Sequence, residues 1–301
     1  CRFMPSENGV DANLARAYNE AIETAWKYGL WVEYDNHFYF PHWVCAGSKE
    51  FPNPKPASPT NSFQNLPGTL KVWEETARGV KDCKNIFVFE TPSNEPFFYD
   101  PAGTSIRHIP AMMFEWNQFL KRKYQTRDRL AKAWTEQVEF PELNRLWPEE
   151  DWDKNSILPP GFTPKDAEAK WTDAKNQNAR IWDWLMFAAY LQGKTTGAIS
   201  DAVRRHIPSA SFMQQFIIGD EWDQNPIPFS YLAIVQSRGE QGRSIFLGSH
   251  YGVAGRQVLK AVALGTPSTD SENPGENLYG AYLMQKLYGC GATLFADYAR
   301  W

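Results

Sequence analysis

The sequence contains few cysteines and no long apolar run. Its 301 residues include four cysteines, Cys1, Cys45, Cys83 and Cys290, and no C-x-x-C pair. Neither a disulfide scaffold nor a structural zinc site is therefore predicted, and we expect isolated, buried thiols. No stretch approaches the roughly 18 apolar residues of a membrane span, and no segment resembles a signal peptide. The sequence predicts neither a membrane-spanning protein nor a disulfide-rich one.

An excess of basic residues is also lacking. Lys and Arg number 31 against 35 Asp and Glu, a formal net charge of −4. Because nucleic-acid-binding surfaces are strongly basic, nucleic acid is not expected as a partner. No glycine-rich phosphate loop follows any predicted strand, which argues against a nucleotide-binding fold. No cofactor is predicted.

Aromatic residues, by contrast, are abundant. The chain has 13 Trp, 13 Tyr and 19 Phe, together 15% of its residues. Most must pack in the core, but Trp43, Trp116, Trp222 and Trp301 each lie close to a predicted strand end or loop. Flat apolar rings suit the C–H faces of sugars. The composition therefore favours a carbohydrate ligand modestly.

Strand-like and helix-like segments alternate along the chain, which is typical of a parallel sheet covered by helices. Apolar spacing predicts helices over 11–29, 69–82, 110–135, 178–207 (one long helix or a pair), 253–265 and 277–289. Strands are predicted at 2–5, 30–38, 85–92, 211–217, 244–250, 266–272 and 292–299. The Pro-, Glu-, Asp- and Trp-rich stretch 139–170 is interpreted as a long loop inserted in a single domain over 1–301. The number of strands alone also allows an open doubly wound sheet.

Two carboxylates stand at predicted strand ends, where barrel enzymes place their catalytic groups. Glu95 follows an apolar strand within Ser93-Asn-Glu-Pro96, and Glu272 closes the strand before the last. Asp270 and Glu276 are rival candidates for the second position.

Several motifs resemble clan A glycoside hydrolases. Arg2-Phe-Met-Pro5 and Gly29-Leu-Trp-Val-Glu-Tyr-Asp-Asn-His37 are similar to the second and third strands of that clan. Asn94-Glu95-Pro96 resembles the end of the fourth strand in family 5 cellulases and mannanases. Segments 114–124 and 181–187 are more similar to family 42 β-galactosidases. The resemblance implies a (β/α)₈ TIM barrel whose first βα unit and last helix are not in this chain.

The resemblance also implies chemistry. Glu95 would be the acid/base and Glu272 the nucleophile of retaining hydrolysis of β-glycosidic bonds by double displacement. The implied substrate-binding residues are Arg2, His37, Asn94, Trp222, His250, Tyr251, Tyr298 and Trp301. Family 5 separates the His and Tyr of its sixth strand by one residue. Here His250 and Tyr251 are adjacent, so only one is expected to enter the site, and His250 is preferred.

The expected partner is an oligosaccharide or polysaccharide. The family 42 segments favour a β-galactosidase-like, exo-acting enzyme, and such a function favours a secreted or periplasmic location. The resemblance leaves the oligomeric state open.

Two other classes of protein compete with this interpretation. A metal-dependent barrel hydrolase could use Asp35, His37, His42 and His250 as ligands, but the five histidines form neither a His-x-His pair nor an H-E-x-x-H motif. No metal is therefore predicted. A non-catalytic carbohydrate-binding barrel would have the same aromatic content. The presence of a carboxylate at both expected strand ends favours the enzyme.

Overall fold

The computed structural model of the chain describes residues 8–9, 11–35, 42–53, 65–91, 106–135, 146–160, 179–216, 229–239, 245–250, 268–271 and 292–293. These ranges form a mixed α/β fold with one six-stranded sheet. The strands are β1 (Val32–Asp35), β2 (Ile86–Thr91), β3 (Phe212–Phe216), β4 (Ile245–His250), β5 (Ser268–Ser271) and β6 (Ala292–Thr293).

The order of strands across the sheet follows their order along the chain, and every neighbouring pair is parallel. A doubly wound sheet reverses its strand order at a switch point. These six strands contain no such reversal, so the doubly wound alternative does not describe them. Each strand lies within a segment predicted as a strand, which confirms six of the seven predictions. The seventh, at 2–5, lies outside the described residues.

The described helices are α1 (Ala12–Lys27), α2 (His42–Cys45), α3 (Leu66–Val80), α4 (Pro110–Tyr124), α5 (Arg127–Thr135), α6 (Ala179–Arg204) and α7 (Phe229–Arg238), with a 3₁₀ helix at Ile106–His108. The predicted helix over 110–135 is interrupted after Tyr124, because Gln125 adopts a φ of 66°. The prediction over 178–207 resolves to one helix of 26 residues. Helix α7 was not predicted, and the helices predicted at 253–265 and 277–289 lie outside the described residues.

Helix α1 shows how local signals set the boundaries of a helix. The Asp11 carboxylate accepts hydrogen bonds from the amides of Asn13 and Leu14, both at 2.9 Å, and so caps the first turn. Gly29 then follows the last turn with a φ of 73°, a left-handed conformation that glycine adopts without strain. The buried side is centred on Ile22, whereas Leu14 is exposed.

Aromatic side chains hold the sheet to its helices. Phe89 of β2 contacts Tyr34 of β1, Phe212 of β3 and Trp73 of α3, with ring centroids 5.6, 5.9 and 6.4 Å apart. This row defines the helix-facing side of β1, β2 and β3. Trp116, expected near a strand end or loop, is instead buried in α4 against Trp184 of α6.

Neither described cysteine forms a disulfide: Cys45 is buried and Cys83 half-buried. Burial, followed by the charges of Glu23 and Asp82, raises the pKa of the Cys83 thiol to about 11. Cys1 and Cys290 lie outside the described residues. Among the described helices, none is both long and apolar enough to cross a membrane.

Candidate active-site edge of the sheet

The carboxyl ends of the six strands lie along one edge of the sheet, because all of them run parallel. His250 ends β4 and is paired in register with Ser271, the last residue of β5. Glu272 follows Ser271 directly in the sequence, and Glu95 follows the last residue of β2, Thr91, by four positions. Both proposed catalytic carboxylates therefore follow strands that end at this edge.

Of the predicted site residues, the structure describes His250, which it places at the carboxyl end of β4. The rival Asp270 lies within β5, in register with Ser249 and Thr293. The remaining predicted site residues lie outside the described ranges, so their arrangement stays a prediction: Arg2, His37, Asn94, Glu95, Trp222, Tyr251, Glu272, Tyr298 and Trp301. The rival Glu276 lies outside them as well.

Glu90 is a buried carboxyl-bearing residue near this edge that sequence reasoning missed. It precedes Thr91 in β2 and is only 3% exposed. Its neighbours Phe89 and Thr91 both contact the helix side of the sheet, so alternation directs Glu90 to the opposite face. Val88 and Met213, on that same face, are fully buried. The sheet is thus covered on both faces around β2 and β3.

The signal for Glu90 was present in the sequence. In Phe87-Val-Phe-Glu90 an acidic residue interrupts an apolar run at the end of a strand. Glu33 of β1, half-buried and in register with Val88, is a second such residue. Both lie inside strands whose prediction rests on the neighbouring apolar residues.

A chain of side-chain hydrogen bonds fixes the carboxyl end of β2 to β3 and α6. Thr91 donates its hydroxyl proton to the carbonyl of Met213 at 2.9 Å. The Thr196 hydroxyl therefore donates to Thr91 across 3.3 Å, and it accepts from the amide of Gln214 at 2.9 Å. The side chains that form this hydrogen-bond series are fully buried: Thr91, Thr196 and Gln214. The strand that leads to Glu95 consequently ends at a fixed place against the helix.

The described part of the predicted insertion, residues 146–160, has no helix or strand of its own and is held by a buried ion pair. Glu150 and Arg180 form a bidentate salt bridge, and both side chains are almost completely buried. The same carboxylate accepts from the amides of Trp147 at 2.6 Å and Leu158 at 2.7 Å. One carboxylate therefore organises both the beginning and the end of this segment.

Aromatic rings enclose the Arg180 guanidinium. It lies 3.8 Å from the ring centre of Trp147 and 4.7 Å from that of Trp134, distances typical of cation–π contacts. Arg107, in the 3₁₀ helix, contacts Trp147 at 5.5 Å and donates to the carbonyl of Pro159 at 3.1 Å. Residues 146–160 thereby hold the 3₁₀ helix in place. This helix follows the part of the chain that begins after Thr91 and carries Glu95.

A second buried carboxylate joins α4, α5 and α6. Asp183 accepts hydrogen bonds from Lys123, from the Tyr124 hydroxyl at 2.6 Å and from the Trp134 indole at 2.8 Å. Burial and the charge of Asp183 raise the pKa of Tyr124, so its hydroxyl stays protonated and donates.

The sequence offered Asp35, His37, His42 and His250 as candidate metal ligands. Asp35 ends β1 and His42 begins α2, while His37 lies outside the described residues. In the ranges that the structure describes, no three His, Cys, Asp or Glu side chains form a group that could hold a metal ion.

Three solved structures with a similar fold are a pair of β-galactosidases and an agarase. A β-galactosidase from the Antarctic haloarchaeon Halorubrum lacusprofundi matches with a TM-score of 0.61 and 15% identity, over 98% of this chain and 46% of its own. A β-galactosidase from the psychrophilic Marinomonas ef1 matches with a TM-score of 0.60 and 10% identity, over 98% of this chain and 48% of its own. An exo-β-agarase matches with a TM-score of 0.52 and 12% identity, over 88% of this chain and 36% of its own.

At these identities the similarity defines a fold. The chain has the mixed α/β fold found in these β-galactosidases and the agarase, and it spans about half of their length or less. No protein-family model matches the sequence, and no curated protein is significantly similar to it.

Proposed function

We propose that this chain is the catalytic barrel of a retaining glycoside hydrolase that cleaves β-glycosidic bonds, with Glu95 as acid/base and Glu272 as nucleophile. The observation that carries the proposal is the parallel, chain-ordered sheet, in which the strands leading to both carboxylates end at one edge. Carboxyl ends of strands are where α/β barrels place their catalytic groups. The fold shared with solved β-galactosidases adds independent support.

Curvature of the sheet is required by this mechanism. β2 and β5 are separated by β3 and β4, so on a flat sheet their ends would stand about 14 Å apart, three spacings of about 4.8 Å. Retaining hydrolysis needs the two carboxyl groups about 5–5.5 Å apart. Closing the sheet into a (β/α)₈ barrel points both side chains towards a common axis. We therefore propose that residues 1–301 belong to one barrel domain.

The proposed reaction requires different environments for the two carboxyl groups, one that keeps Glu95 protonated and one that keeps Glu272 ionised. Glu272, kept ionised by Arg2, would attack the anomeric carbon while protonated Glu95 donates its proton to the leaving oxygen. Glu95 would then take a proton from the incoming water, whose oxygen displaces Glu272. Asn94 would bind the sugar 2-hydroxyl, and His37 and His250 would donate to the sugar or the carboxylate. Trp301 would form the floor of the cleavage subsite, beside Trp222, Tyr251 and Tyr298.

For the substrate we propose a β-galactoside, cleaved from the chain end. Two of the similar solved structures are β-galactosidases and a third is an exo-β-agarase. The segments at 114–124 and 181–187 resemble β-galactosidases in sequence. A polymer of galactose or its oligosaccharides would then be the partner of the site.

The test compares hydrolysis of aryl β-glycosides by the unaltered chain with that by Glu95→Gln and Glu272→Gln. Loss of general-acid catalysis costs about 10²- to 10⁴-fold, and Glu95→Gln should lose most with poorly activated leaving groups. Glu272→Gln should lose activity on every substrate, and the unaltered chain should release its product with retained anomeric configuration. Activity that survives Glu272→Gln would move the nucleophile to Asp270 or Glu276, which Asp270→Asn and Glu276→Gln then separate. A folded chain that binds sugars without hydrolysing any would instead be a carbohydrate-binding barrel.

A further inference from the structure

Large apolar side chains are exposed where α1 ends and β1 begins. Trp26 is 46% exposed and Trp31 61%, and between them Tyr28 and Leu30 are 79% and 58% exposed. The rings of Trp26 and Trp31 meet edge to face, with centroids 5.4 Å apart and planes inclined by 70°. We call Trp26 and Trp31 the aromatic corner. Isolated exposed apolar residues are ordinary, but such a concentration within six positions marks a binding surface.

A cavity adjoins the aromatic corner. It has a volume of about 280 Å³ and lies between the end of α1 and the turn that leads from α3 to β2. Its lining comprises Glu23, Trp26, Lys27, Asp82, Lys84 and Asn85. This volume is slightly below the range of about 300–1,000 Å³ that drug-sized ligands occupy. The cavity therefore suits one small ring-shaped group.

The wall of this cavity is rigid at Asn85. That residue is 1% exposed, and its side-chain amide donates to the carbonyls of Ile22 at 2.9 Å and Leu30 at 3.1 Å. These two bonds tie the last turns of α1 and the residues before β1 to the start of β2. The backbone on both sides of the aromatic corner is therefore held in place, which lowers the entropic cost of binding.

The chemistry of the lining selects the class of ligand. Two carboxylates and two ammonium groups balance to zero formal charge, so neither an anion nor a cation is favoured. Carboxylates accept hydrogen bonds from hydroxyl groups and ammonium groups donate them. An indole beside them offers an apolar face. A neutral, polyhydroxylated ring with one apolar face fits all three properties.

We propose that the aromatic corner and its cavity form a second carbohydrate-binding site, which holds a sugar unit of a neutral polysaccharide. The site lies at the amino ends of β1 and β2, whereas the proposed catalytic carboxylates follow the carboxyl ends of β2 and β5. The six residues of β2 separate the two edges by about 20 Å. The choice of a galactose-containing polymer rests on the proposed function, but binding at the aromatic corner does not depend on catalysis.

The experiment measures binding of a soluble β-galactan to the 301-residue chain carrying Glu272→Gln, so that hydrolysis does not consume the ligand. Trp26→Ala and Trp31→Ala, each added to that chain, should raise Kd about tenfold, and Trp26→Phe should raise it less because a ring remains. Val235→Ala, at an exposed apolar residue of α7, is the control and should leave Kd unchanged. Thermal unfolding of each variant establishes that it is folded.

A second measurement separates this proposal from the proposed function. In the chain with Glu272 intact, Trp26→Ala should leave kcat/KM for a small aryl β-galactoside unchanged and lower the rate on the polymer. If both Trp variants bind the polymer as tightly as the chain that carries Glu272→Gln alone, or if no chain binds it, the second site is overturned. Trp variants that alter self-association in sedimentation but not polymer binding would also overturn it and assign the surface to a protein contact. If the chain is inactive but its polymer binding still requires Trp26, only the proposed hydrolase activity is refuted.

Discussion

The hydroxyl of Thr91, the last residue of β2, lies 3.3 Å from the hydroxyl of Thr196 on α6. This contact joins residues 105 positions apart in the sequence and is completely buried. Because Thr196 also accepts from the side-chain amide of Gln214 in the middle of β3, one hydroxyl couples two neighbouring strands to the helix that covers them. The connection carrying Glu95 leaves the sheet directly after this point.

Thr196→Val tests that coupling. The substitution keeps the shape of the side chain but leaves the buried Gln214 amide without its acceptor, and we expect unfolding to become easier by about 1–3 kcal/mol. Urea unfolding measures the free energy, and kcat with an aryl β-glycoside should fall in parallel. Thr195→Val is the matched control, because the Thr195 hydroxyl is buried with no hydrogen-bond partner among the described residues. Equal losses in the two variants would contradict a role for the hydrogen-bond chain.

Arg180→Met tests the buried ion pair with Glu150. Removing one partner of a buried pair leaves an uncompensated charge and costs about 3–5 kcal/mol. Lys194→Met breaks the pair with Glu115, in which both side chains are about 30% exposed (32% and 27%), and should cost about 1 kcal/mol or less. Chemical denaturation of both variants gives the comparison. A loss for Arg180→Met no larger than that for Lys194→Met would show that the 146–160 segment does not depend on the pair.

Glu74→Gln tests the pH dependence of stability. Burial raises the pKa of Glu74, but the hydrogen bond with His206 and the charges of Arg205 and Arg78 outweigh it and hold the pKa below its ordinary value. A carboxyl group whose pKa is lower in the folded than in the unfolded state stabilises the fold at a pH above its unfolded-state pKa. This stabilisation is lost as the pH falls through its folded-state pKa.

We therefore expect Glu74→Gln to destabilise the fold at pH 7, by less than about 1 kcal/mol because the site is partly exposed. The difference from the unaltered chain should vanish once the carboxyl is protonated in both states. Urea midpoints measured from pH 7 down to pH 3 follow this change. Glu20→Gln, which removes a highly exposed pair with Arg16, is the control. A difference that stays constant with pH would contradict the role given to the charge of Glu74.

Much of the fold could be predicted because strand and helix periodicity is local. The apolar run that ends at Thr91 predicted β2, and the helix predicted over 11–29 matches α1, whose limits are set at Asp11 and Gly29 by contacts with neighbouring residues. The same reasoning found the strand ends where the candidate site is expected. It missed Glu90, because an acidic residue that interrupts an apolar strand does not by itself show whether its side chain is buried.

Contacts between distant segments had no such signal. Gly193 shows why: a Cβ there would lie 2.5 Å from the carbonyl oxygen of Ala233, so its lack of a side chain permits the close approach of α6 and α7. The residues around Gly193 in the sequence do not predict that α7 packs against it. Likewise, apolar spacing predicted the helix over 11–29, but only the tertiary packing decided that Ile22 is buried and Leu14 exposed.

The sequence by itself determined where the strands and most of the helices form and which carboxylates follow the strand ends. Only the tertiary structure decided that the strands pair in chain order, that Glu150 finds Arg180, and that Trp26 and Trp31 stay exposed. The physical reason is the range of the interactions. Caps and periodicity act within a few residues, whereas strand order, ion pairing and burial depend on which distant surfaces exclude water together.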